Sequence, residues 1–119
     1  WETFEEPIKV ASIIKRIHND FQVGVLDCLT LLVSNFMAAG LKEDEVRKEI
    51  QQILSSMKAS RCKWILISSE VGSGVVPANR LARRFRDLAG AVNQWVAQQA
   101  DTVILMVAGL PTEIKRRSR

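Results

Sequence analysis

Three short runs of the chain are apolar at nearly every position: Gln22–Leu26 (QVGVL), Lys63–Ser68 (KWILIS) and Thr102–Val107 (TVILMV). A strand with one face in water alternates apolar and polar residues; a strand covered on both faces does not. The runs therefore predict strands of a parallel sheet with helices on both sides. Helical patterns separate them. Pro7 to about Asn19 places Pro7 near a first turn and Ile13, Ile14 and Ile17 on one side. A short helix is expected after Asp27, ending before Gly40. Leu41 to about Ser60 repeats Val46, Ile50, Ile53, Leu54 and Met57 at helical spacing. The longest helix is expected from about Ala78 to Ala100. Leu81, Phe85, Leu88, Val92 and Trp95 form its apolar stripe, with Arg80, Arg84 and Asp87 on another face. Strands alternating with helices predict an α/β fold with right-handed crossovers.

The 119 residues suit one domain or part of one. Three strands are few for a sheet covered on both faces, because its edges then lie close to its centre. The chain also starts at Trp1 rather than at a methionine. Residues 1–119 are thus expected to form a single partial domain, the carboxy-terminal part of a larger one. The net charge is +4. Lys115, Arg116, Arg117 and Arg119 account for it, leaving 13 of the 17 basic residues against 13 acidic ones. That distribution predicts a solvated basic tail on a neutral body. A nucleic-acid binder would carry a basic face on the body itself, so no nucleic-acid partner is expected. The two cysteines, Cys28 and Cys62, form no CxxC pair, and His18 is the lone histidine, which excludes the usual zinc site. Cys28 is expected to be a buried small hydrophobe. No apolar run approaches the roughly 18 residues of a membrane span, and no signal peptide is visible, so the cytoplasm is the expected compartment.

Open parallel sheets bind ligands beyond the carboxyl ends of their strands. The first run ends in Asp27, within VLDCLT. A carboxylate there can hold a magnesium ion directly or through water, or can simply cap the next helix. The second run leads to Glu70 and then VGSGVVP, whose Gly72 and Gly74 permit a tight turn close to a ligand. Glu70 is either a solvated loop residue or a metal or proton-transfer partner of Asp27. Arg80, Arg83, Arg84 and Arg86 come next and cannot all face one way. One or two of them could hold a phosphate, which a guanidinium suits well. Asn93 and Gln94 could fix a ligand or a subunit contact, and Gly109 and Pro111 mark a turn after the third run. His18 reads as structural. No GxxxxGK[ST] motif occurs, so these residues do not cradle a triphosphate in the usual way.

The segment EVGSGVVPANRLARRFRDLAGAVNQ (Glu70–Gln94) closely resembles the bifunctional adenosylcobinamide kinase / adenosylcobinamide-phosphate guanylyltransferase family of cobalamin biosynthesis. LDCLTLLVSN (Leu26–Asn35), WETFEEP (Trp1–Pro7) and ADTVILMVAGLP (Ala100–Pro111) resemble further segments of that family, in the same order. The resemblance implies a RecA-like P-loop NTPase fold, a mostly parallel sheet with flanking helices, here lacking the amino-terminal P-loop unit. It also implies a homotrimer and two reactions that use GTP or ATP with Mg2+. The first phosphorylates adenosylcobinamide; the second carries GMP from GTP, through an enzyme histidine, onto adenosylcobinamide phosphate. By the resemblance, Glu5 and Asp27 bind the nucleotide and Asp27 its metal, while Glu70, Arg84 and Asn93 are candidate substrate or phosphate contacts. The family's guanylylated histidine precedes the tryptophan matched by Trp1, so His18 does not match it. The chain alone is accordingly expected to be inactive. The alternative is a non-catalytic module that retains the fold for assembly or nucleotide sensing.

Overall fold

The computed structural model describes residues 1–74 and 76–118. Helix α1 (Val10–Ile17) starts three residues after Pro7. The Glu6 carboxylate accepts hydrogen bonds from the Ile8 and Lys9 amides at 3.0 and 2.8 Å and so stands in for a cap. Strand β1 (Val23–Asp27) leads into α2 (Leu29–Ala38) through Cys28, whose Sγ accepts from the Leu31 amide at 3.4 Å. Helix α2 stops at Gly40, which takes a left-handed φ of +81° that a side chain would resist. Helix α3 (Glu43–Lys58) carries Glu43, Asp44 and Glu45 in its first turn, where the helix dipole favours them. Strand β2 (Lys63–Ile67) is followed by a 3-10 turn, Val71–Ser73, and then α4 (Arg80–Gln99). The start of α4 is set by Asn79 rather than by Pro77: Asn79 Oδ1 accepts from the Leu81 and Ala82 amides at 2.8 and 3.2 Å. Strands β3 (Thr102–Val107) and β4 (Leu110–Arg116) close the chain.

Among the described residues the strands make two separate two-stranded sheets. β1 and β2 are parallel, with Val23 opposite Lys63 and Asp27 opposite Ile67. β3 and β4 form an antiparallel hairpin. Its two-residue turn, Ala108–Gly109, has positive φ at both positions (49° and 76°), as a tight hairpin requires. All four helices contribute to one core built from Ile14, Val33, Phe36, Val46, Ile50, Ile53 and Val92. Leu26, Trp64 and Leu66 pack on it from the sheet. The α/β character expected from the sequence is present in this small parallel sheet with its four helices.

Several expectations need correcting. The apolar strands are not buried on both faces: along β1 and β2 exposed and half-buried residues alternate. The helices share a single core, so Val23, Val25, Ile65 and Ile67 on the other face remain 40–54% exposed. The basic tail is not free either. Lys115 and Arg116 belong to β4, and Lys115 Nζ donates to the carbonyls of Ala97 and Gln98 at 2.7 and 3.0 Å, at the C-terminal end of α4. Arg117 pairs with Asp101 at 3.6 Å, while Arg119 lies outside the described residues, as does Val75 of the glycine loop. Cys28 is half-buried and caps α2; Cys62 is the buried cysteine, and burial pushes its thiol pKa up. Pro111, expected in a turn, instead sits in β4 opposite Met106. Leu81, placed in the α4 stripe, is exposed, and the buried residues of that helix are Leu88, Ala89, Val92 and Val96.

Candidate functional site

The carboxyl ends of β1 and β2 lie side by side, because Asp27 and Ile67 are partners in the parallel ladder. That is where the topology of an open parallel sheet directs a ligand. Asp27 ends β1 with its carboxylate in solvent, on the same strand face as Val23 and Val25. It helps line a small cleft of about 70 Å3 together with Glu6, Cys28 and Asn35. Asn35 Nδ2 donates to the Pro7 carbonyl at 2.9 Å, which ties the segment before α1 to α2. Hydrogen bonds from the Ile8 and Lys9 amides, with the Lys9 charge adding to them, hold the Glu6 carboxyl below its usual range.

β2 exits beside Asp27 through Ser68, Ser69 and Glu70. Ser68 Oγ donates to Asn93 Oδ1 at 2.5 Å, and Asn93 Nδ2 donates to the Ser69 carbonyl at 3.2 Å. The Ser69 amide donates to Thr30 Oγ1 at 2.8 Å. Further along, Arg86 Nη2 donates to the Gly72 carbonyl. Arg83 Nη1 donates to the carbonyls of Pro77 and Ala78 at 3.1 and 2.5 Å. Two of the four arginines thus hold the backbone of the loop that precedes their own helix.

The structure brings Asp27 and Glu70 to the same end of the parallel pair, and Asn93 joins them through Ser68 and Ser69. Arg84 is exposed on α4. Glu5 is also exposed, and the carboxylate that lines the cleft with Asp27 is its neighbour Glu6. Sequence reasoning passed over Glu6 and Thr30. The signal for Thr30 was a hydroxyl three residues beyond a strand-end carboxylate, in the first turn of α2; Glu6 had no signal distinct from Glu5. A larger opening of about 470 Å3 lies elsewhere, against α1 and α3, lined by Lys15, His18 and Lys48 among others. His18 there is tied down: Nδ1 donates to the Lys15 carbonyl at 2.6 Å and Nε2 accepts from Asn19 Nδ2 at 2.9 Å. That opening contains neither Asp27 nor Glu70, so the site is assigned to the strand ends.

Among the described residues no three His, Cys, Asp or Glu side chains gather into a metal-holding group. This donor set suits magnesium in one particular mode. Mg2+ keeps several waters and binds through one or two carboxylates together with substrate phosphates, so a single solvent-facing Asp27 fits it. When bound, the ion would neutralise phosphate charge beside Asp27.

Comparison with known proteins bears on the chain as a whole. A family model described as cobinamide kinase / cobinamide phosphate guanyltransferase matches residues 1–114. The chain is 36% identical to a bifunctional adenosylcobalamin biosynthesis protein of Escherichia coli over 127 residues, covering 97% of this chain and 70% of that protein. It is 39% identical to the protein of the same description from Salmonella typhimurium over 103 residues, covering 76% and 57%. A third, from Pseudomonas aeruginosa, is 35% identical over 117 residues, covering 97% and 66%. The chain thus spans between just over half and about two thirds of the length of these relatives. A family model matched over residues 1–114, together with relatives 35–39% identical, means that the chain belongs to the cobinamide kinase / cobinamide phosphate guanyltransferase family.

Proposed function

We propose that this chain serves cobalamin biosynthesis as part of an adenosylcobinamide kinase and adenosylcobinamide-phosphate guanylyltransferase. In the first reaction a hydroxyl oxygen of adenosylcobinamide attacks the terminal phosphorus of a nucleoside triphosphate, and the diphosphate leaves. In the second, GMP from GTP passes through a histidine with loss of pyrophosphate. The substrate phosphate then takes it up, giving adenosylcobinamide-GDP. The phosphate-cradling loop and the guanylylated histidine of the family have no counterpart in these 119 residues. The reading therefore gives this chain the metal-and-nucleotide side of the site. Asp27 holds Mg2+ with GTP or ATP, Glu70 and Arg84 face cobinamide or phosphate, and Glu5 lies near the guanine nucleotide.

The observation that carries the reading is Asp27 at the end of β1, beside the exit of β2, within a family match over residues 1–114. The same reading takes the fold as RecA-like and the assembly as a homotrimer, in which Leu81 and the outer sheet face are exposed apolar surface open to being covered. The reading takes the cytoplasm as the compartment, where GTP and ATP are at hand. The test incubates the native protein with adenosylcobinamide, magnesium and radiolabelled GTP. Labelled adenosylcobinamide-GDP is expected where the phosphate-cradling loop and the histidine accompany these residues, and none from the 119 residues alone. Nucleotide binding with no labelled product would replace the reading with a non-catalytic nucleotide-sensing module.

A further inference from the structure

We propose that Asn93 is a positioning residue. With Ser68 and Thr30 it forms a polar brace that fixes the exit of β2, and hence Glu70, against the Asp27 end of β1. The inference rests on the reading of the strand ends as the nucleotide site, and it replaces the expectation that Asn93 itself meets ligand.

The need for a brace arises from the ladder. β1 ends at Asp27, paired with Ile67, so the amides beyond Ile67 have no strand partner on that side. An unpaired backbone N–H must find another acceptor. Ser69 finds Thr30 Oγ1 at 2.8 Å, on the first turn of α2, three residues after Asp27. Thr30 Oγ1 also lies 3.5 Å from Ser68 Oγ. Asn93 reaches the same two serines from α4, accepting from the Ser68 hydroxyl at 2.5 Å and donating to the Ser69 carbonyl at 3.2 Å. Asn93 is thereby engaged through both ends of its amide. Three elements distant in sequence, α2, the β2 exit and α4, meet at one point next to Asp27. Beyond Glu70 the chain enters a loop with Gly72 and Gly74, which lack the stiffness to hold Glu70 unaided. The fasteners are polar because Ser68 and Ser69 are exposed, where apolar side chains would gain little from packing.

The test compares Asn93→Ala, Ser68→Ala and Ser68→Thr in the native protein, by amide hydrogen exchange across Ser68–Gly72 and by steady-state turnover of magnesium-nucleotide. Losing a net hydrogen bond should speed exchange of the Ser69 amide and lower kcat by about tenfold each. KM for the nucleotide should stay within about twofold. Ser68→Thr, which keeps the hydroxyl, should restore both values. A raised KM with kcat and exchange intact would make Asn93 a direct substrate contact and overturn the brace, as would unchanged exchange in both alanine variants. If Asn93→Ala fails to fold, the Ser68 pair decides alone, since Ser68 is exposed. Faster exchange in the alanine variants, in a protein that shows neither turnover nor nucleotide protection of Ser68–Gly72, would uphold the brace and reject the nucleotide reading.

Discussion

A carboxylate, a hydroxyl and an amide matter here for where they sit relative to strand ends, and single residues show how far sequence alone could place them. Asp27 was legible in position, at the end of an apolar run, but not in role, since a strand-end carboxylate can hold a metal or cap the next helix. Asn93 was legible as a polar side chain on a helix, but not in its contacts, since the sequence does not say that it reaches Ser68 and the Ser69 carbonyl. Glu6 was not legible, since WETFEEP offers two adjacent glutamates and only the path of the chain selects between them. Glu6 gives a prediction at this scale. Its folded pKa lies below the unfolded value of about 4.5, so its contribution to stability is present above that value. The contribution disappears as pH falls through the folded pKa. Glu6→Gln retains an acceptor oxygen but no charge. Urea denaturation should therefore find the variant less stable than the parent at pH 7 and equal to it in acid. The same difference at both pH values would remove the charge from the account.

At the scale of elements, helices were easier to read than the environment of strands. The stripe of α3, and the Asp27 and Gly40 that bracket α2, are local signals, and both helices fall close to where these signals place them. The run TVILMV announced β3, but nothing within it says that it pairs with the basic segment after it. Four cations in the last five residues read as a solvated tail because charge is visible in a sequence while a hairpin turn at Ala108–Gly109 is weakly marked. In the structure Lys115 turns that charge to use by donating to the last carbonyls of α4, where a cation is favoured by the helix dipole. Lys115→Met should keep the aliphatic stem and cost about 1 kcal/mol, the worth of a typical net hydrogen bond. Amide exchange in β3 and β4 should rise while that in α2 and α3 stays level. Uniform change across the molecule would show that the hairpin is not held separately by this contact.

Over the whole molecule, the sequence specified more apolar surface than these residues cover. Val23, Val25, Ile65 and Ile67 on the parallel pair, and Ile104, Leu105, Met106, Val107, Leu110 and Ile114 on the hairpin, are all exposed. Composition states which strands can be covered; it cannot say what covers them. A polypeptide of these 119 residues should therefore self-associate, since exposed apolar surface and unpaired strand edges favour association. Sedimentation should find oligomers or aggregates, and a compact monomer at high concentration would contradict that expectation. The central claim concerns the carboxyl end of the parallel pair, where the exit of β2 is fastened beside Asp27. Its most direct test is equilibrium binding of GTP to the native protein and to Asp27→Asn, with and without magnesium. The account predicts that magnesium tightens binding in the parent by about tenfold or more, and that Asp27→Asn abolishes most of that gain while melting within a few degrees of the parent. Equal magnesium dependence in parent and variant would show that Asp27 only precedes a helix.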